Sequence, residues 1–173
     1  MIQPHTFLNA EELEEAKQRM EALPKEPLGE FDRRFWAQAA ELFAKWLSDR
    51  LEEKLSQVPR WHESQPIALG SWARHELCPK SDVDMIFCGP EGVVKGVVKD
   101  IQDMNLKLRY RIPQDLTDWS VSVEPFDLFS LLHARAFTWE AGEKLSEQQR
   151  FLFGKGNLER KRLLLNALRE ERN

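Results

Sequence analysis

Three features of the 173-residue sequence predict an α+β fold, a small mixed β-sheet with helices packed on it and further helices at the N- and C-terminal ends. Two short apolar runs, Ile67 to Leu69 and Val83 to Phe87, are bounded by Pro66, Gly70 and Gly89-Pro90, which is how buried strands read. Residues 106–112 and 119–124 alternate apolar and polar side chains with a period of two, as half-exposed strands do. Around them lie stretches whose apolar residues recur every three or four positions, the spacing of helices. The length suits one domain able to bury a proper core. Its expected parts are a helical segment over residues 1–58, a core over 59–137 and a second helical segment over 138–173.

The elements follow in order. Asn9 with Glu12 three residues later is an N-terminal capping signal for a first helix from Ala10 to about Ala22, which Pro24, Pro27 and Gly29 end. From Glu30 to Gln57, Phe31, Phe35, Leu42, Phe43, Trp46, Leu47, Leu51 and Leu55 write one apolar stripe on a long helix, expected to pack along the sheet. The segment 69–88 is expected to be strand, turn and strand. Val93, Val94, Val97, Val98, Ile101 and Met104 give a helix over residues 91–104. Leu106 to Ile112 is a strand whose Lys107, Arg109 and Arg111 form a basic outer face, the charge protection usual on an edge strand. Trp119 to Glu124 is a further strand, Leu128 to Phe137 a buried helix, Ser146 to Phe153 a short helix and Asn157 to Arg172 a charged one.

The chemistry concentrates between Leu69 and Cys88. On a strand Asp82 and Asp84 project from one face, while Val83, Met85 and Phe87 take the other. Two neighbouring carboxylates raise each other's pKa unless a cation neutralises them. A hard divalent cation that prefers oxygen ligands and keeps waters for phosphate oxygens suits the task. Upstream, Gly70 lets backbone approach a ligand closely, and Ser71 offers a hydroxyl and an N–H to an anion.

Gly70-Ser71 followed at a spacing of about ten residues by Asp82-Val83-Asp84 resembles the signature of the DNA polymerase β-type nucleotidyltransferase superfamily. Within it, the run from Gly70 through Trp72, Ala73, Arg74, Glu76, Leu77, Pro79 and Ser81 to Asp84 is most similar to the N-terminal catalytic domain of bacterial PII uridylyltransferase. His75 departs from that pattern, which usually has glycine there. The resemblance implies the nucleotidyltransferase fold. It also implies a Mg²⁺- or Mn²⁺-dependent transfer of a nucleoside monophosphate from an NTP to an acceptor hydroxyl, with release of pyrophosphate. Gly70, Ser71, Arg74 and Ser81 would bind nucleotide, and Asp82 and Asp84 would carry metal. A third carboxylate is implied on a neighbouring strand. The simplest alignment puts Ser122 at that point, so Glu124 on the same face is the leading catalytic and metal-binding acid, with Asp127 and Asp118 as alternatives. Arg74 reads equally as a phosphate clamp and as a partner of Glu76.

Composition narrows the partners. With 25 Lys+Arg against 29 Asp+Glu the chain is slightly acidic, unlike proteins that bind nucleic acid through charge alone. A protein side chain or small molecule is therefore favoured as acceptor. No long apolar run and no basic-then-apolar leader is read, so no membrane and a cytoplasmic location are expected. Cys78 and Cys88 match no zinc spacing and read as buried free thiols. The competing reading is a catalytically inactive nucleotide-binding or protein-interaction module of the same fold.

Overall fold

The computed structural model describes residues 8–21, 30–78, 81–104, 106–113, 130–154 and 162, with side chains of the second helix from residue 37 onward. Helix α1 spans Ala10–Glu21 and α2 Glu30–Ser56; a single 3-10 turn at His62–Ser64 leads into strand β1, Pro66–Ala68. One helical turn, α3 (Gly70–Ala73), precedes β2 (Val83–Phe87). Helix α4 (Glu91–Asp103), β3 (Leu108–Arg111), β4 (Arg135–Ala136) and α5 (Trp139–Phe153) follow. The strands form one mixed sheet in the order β3-β2-β1-β4, with β1 antiparallel to β2 and β4, and β2 parallel to β3. The parallel pair needs a crossover, which α4 supplies. The architecture is the α+β arrangement that the sequence predicts.

Period two along β2 divides the core. Val83, Met85 and Phe87, with Ala68 of β1, pack with Leu47, Leu51 and Leu55 of α2 and Val94, Val97 and Ile101 of α4. On the opposite face Ile67 and Ile86 pack with Leu131 and with Ala141, Leu145 and Leu152 of α5. The Asn9–Glu12 cap forms as expected: the Glu12 N–H donates to Asn9 Oδ1 at 2.8 Å and the Asn9 N–H to Glu12 Oε2 at 2.7 Å. Lys54 joins α1 to α2 by a 2.7 Å ion pair with Glu12.

Several expectations are corrected. Among the described residues, the stripe on α2 is core toward its end: Leu47, Leu51 and Leu55 are buried, whereas Leu42 is 61% exposed and Phe43 and Trp46 are half-buried. A helix of 27 residues is about 40 Å long, and strands of three to five residues cannot cover it. The side chains of Phe31 and Phe35 lie outside the described residues. Segment 69–88 contains a helical turn, α3, between its strands. Residues 128–137 are not one helix: helix ends by Leu132, and Arg135–Ala136 pairs with β1. Helix α5 starts seven residues before the expected Ser146, because the Thr138 hydroxyl caps it by accepting from the Ala141 N–H at 3.2 Å. Cys78 is exposed and Cys88 half-buried, both as free thiols. The strand expected at 119–124 and the helix at 157–172 lie outside the described residues, apart from helical Arg162. No helix among the described residues is long and apolar enough to cross a membrane.

Candidate functional site

The Gly-Ser turn and the aspartates meet because β1 and β2 are antiparallel neighbours. Ala68 pairs with Met85, and one step further the Leu69 N–H donates to the Asp84 carbonyl at 2.9 Å. Gly70 follows immediately with φ +59°, a conformation open to glycine at no steric cost. A Cβ on Gly70 would stand 3.2 Å from Asp84 Oδ2. The missing side chain therefore leaves room beside that carboxylate.

Helix α2 fixes the turn from behind. Trp72 is fully buried, stacks on Phe137 with ring centroids 5.1 Å apart and donates its indole N–H to the Ser48 carbonyl at 3.4 Å. Ser48 is itself buried; its hydroxyl donates to the Ala44 carbonyl at 2.8 Å and accepts from the Leu77 N–H at 3.4 Å. Two ends of the 72–77 loop thus hang on one serine. Sequence reading passed over Ser48, although a serine four residues after Ala44 and three before Leu51, on the helix face of the apolar stripe, was its signal. His75 adopts φ +57°, the backbone conformation that favours the glycine usual at this point in the family resembled, and its Nδ1 lies 3.4 Å from Asp49 Oδ1.

Asp82 and Asp84 share a face. Arg109 stands opposite Asp84 in the parallel register, and the Val83 N–H donates to the Lys107 carbonyl at 2.9 Å. Lys107 Nζ lies 2.6 Å from Asp82 Oδ1 and Arg109 Nε 3.0 Å from Asp82 Oδ2, so the Asp82 carboxylate is turned to the side that Arg109 and Asp84 occupy. Leu108 packs into the opposite core, and Tyr110 meets Phe87 there at 6.2 Å between centroids. The basic face of β3 is therefore the aspartate face, and not a purely solvated edge. Sequence alone hides this, because alternation fixes which residues share a face but not which face of the neighbouring strand they join.

The other expected residues separate. Arg74 Nε pairs with Glu76 Oε2 at 2.7 Å, the second of its two readings. The Ser81 hydroxyl accepts from the Cys78 N–H at 3.1 Å while the Ser81 N–H donates to the Cys78 carbonyl at 2.9 Å, which ties Ser81 to Cys78 just before Asp82. Ser71, half-buried, accepts the Glu76 N–H on its carbonyl at 2.8 Å. Glu124, Asp127, Asp118 and Ser122 lie outside the described residues. Burial pushes the Cys88 thiol up to about 11 despite the nearby Lys144, so it remains a thiol beside β2. A groove of about 470 Å³, lined by His62, Glu63, Gln65, Phe137, Thr138 and Glu140, opens at the other end of the strands, where Phe137 N–H meets the Pro66 carbonyl. It is separate from the aspartates.

The donor set suits a hard cation. Two carboxylates stand on one face, one beside the space left by Gly70, and the other already holds two positive side chains. No protein-family model, no curated protein and no solved structure matches the chain. Functional assignment therefore rests on these residues and their chemistry.

Proposed function

We propose that the chain is a metal-dependent nucleotidyltransferase that transfers a nucleoside monophosphate from an NTP to an acceptor hydroxyl. The carrying observation is the juxtaposition of Gly70, with its positive φ and missing side chain, and Asp84 Oδ2 across the β1–β2 pair. That contact brings together two motifs that ten residues separate in the sequence. Asp82 and Asp84 would hold Mg²⁺ or Mn²⁺, with Glu124 as the third acid implied by the resemblance. When bound, such a cation supplies a Lewis acid for phosphoryl transfer. Gly70 leaves the backbone open to the triphosphate, and the Ser71 hydroxyl donates to a phosphate oxygen. Glu124 accepts the proton of the attacking hydroxyl. The slightly acidic chain favours a protein side chain or small molecule as acceptor over nucleic acid.

A second reading, a nucleotide-binding module without turnover, is favoured by the Lys107 and Arg109 pairs on Asp82, since they already neutralise the first carboxylate. Incubation with Mg²⁺ and each NTP in turn, with candidate acceptors and a pyrophosphate readout, separates the two. Turnover by the wild type that disappears in Asp84→Asn supports the enzyme. Saturable NTP binding without pyrophosphate release supports the module.

A further inference from the structure

Asp82 is surrounded by an imbalance of exposure. Its side chain is 16% exposed, whereas those of the two cations that hold it, Lys107 and Arg109, are 66% and 70% exposed. Arg109 comes from β3 and Lys107 from the residue just before it; the strand register and the Val83 N–H bond to the Lys107 carbonyl fix their backbones beside Asp82 and Asp84, while their long side chains extend over the aspartate face. Exposed ion pairs are individually weak, so a divalent ion held by Asp82 and Asp84 would displace them. The displaced ammonium and guanidinium would still stand on the face where an anionic ligand of that ion must lie. Charge-assisted hydrogen bonds to phosphate are the strongest contacts open to them there.

We propose that Lys107 and Arg109 are exchangeable counter-ions of the site, holding Asp82 in the absence of ligand and turning to the phosphates of the incoming metal–polyphosphate. This rests on the assignment of Asp82 and Asp84 as the metal carboxylates. The two cations then act with opposite sign on the two components of one ligand. They compete with the metal alone and attract the polyphosphate that accompanies it. A residue with a merely structural role would shift both affinities in the same direction or neither.

The test uses the full chain and the double variant Lys107→Gln/Arg109→Gln, in which both positions are surface-exposed and the fold is checked by melting. Lys99→Gln, which removes one exposed positive charge on α4, is the control for charge loss away from the site. Mn²⁺ alone is titrated at low salt by its paramagnetic resonance signal, and inorganic tripolyphosphate is then titrated at saturating Mn²⁺. The double variant is expected to bind Mn²⁺ about tenfold more tightly and tripolyphosphate about tenfold more weakly than wild type, with Lys99→Gln near wild type. If wild type binds Mn²⁺ and the double variant binds it no tighter, or binds tripolyphosphate no weaker, the counter-ion exchange is overturned while the carboxylate site stands. If neither protein binds Mn²⁺, the metal site and the exchange fall together.

Discussion

Adjacent residues of β2 meet opposite surroundings. Val83, Met85 and Phe87 enter an apolar cluster sealed by α2 and α4, in which Leu51, Leu55, Trp72 and Ile101 are fully buried. Asp84, between Val83 and Met85, faces the other side, which among the described residues is apolar where Leu131 and α5 cover Ile67 and Ile86. Beyond that patch the same face carries Asp82, Lys107 and Arg109. One strand thus serves as ballast on one face and as a charged platform on the other, with the alternation of side chains as the only divider. The comparison teaches that stability and ligand chemistry should respond to different substitutions only one residue apart.

The largest expected effect tests the sealed face. Leu51→Ala should lower unfolding free energy by about 2–5 kcal/mol, as removal of a fully buried leucine does, whereas Asp84→Asn should stay within about 1 kcal/mol of wild type. Chemical denaturation of both variants checks this, and comparable losses would erase the division between faces. Gly70→Ala comes next, at about 1–2 kcal/mol, because φ +59° disfavours a Cβ and the new methyl would press on Asp84 Oδ2. A neutral result by the same assay would mean that the turn relaxes away from the carboxylate.

His75→Gly has the opposite sign. Relief of φ +57° exceeds the added chain entropy of glycine, so a gain of about 0.5 kcal/mol is expected from the melting curve, less whatever the Asp49 contact contributes. The smallest effect is chemical. With its thiol at about 11, Cys88 is ionised to about one part in a thousand at pH 8, so native protein treated with iodoacetamide should be modified at exposed Cys78 and at Cys88 only after unfolding. Because its pKa is raised, that protection weakens as pH climbs toward 11. Peptide mapping of the alkylated protein checks the order.

Much of the fold was legible because it rests on local rules. The Asn9–Glu12 box, the valine periodicity of α4 and the alternation through β2 each follow from spacing alone, and each element lies within a residue or so of its expected bounds. The misses have physical causes. A four-residue helix such as α3 has no periodicity to read, and a two-residue strand such as β4 exists only through its pairing with Ile67 and Ala68. The helix expected from Ser146 begins earlier because Gly142 does not interrupt it: the glycine lies inside α5, where a Cβ would meet Ala136 Cβ only at 3.9 Å. In the site, the shared face of the aspartates was visible, while the arrival of Lys107 and Arg109 on it depends on strand register. The anchoring role of Ser48 likewise depends on the approach of α2 to the loop at Trp72 and Leu77.

The central claim is that Gly70-Ser71 and Asp82-Val83-Asp84 form one site for a metal-bound nucleotide. Its most direct test is the melting temperature of wild type and Asp84→Asn with Mg²⁺ and an NTP, added separately and together. A ligand that binds only the folded state at about a hundred times its dissociation constant stabilises it by about 2.7 kcal/mol, which is about 5 °C or more for a chain of this size. The expected result is such a rise in wild type with both components present and its loss in Asp84→Asn. An equal rise in both proteins would contradict the claim, because the nucleotide would then be bound somewhere that Asp84 does not reach.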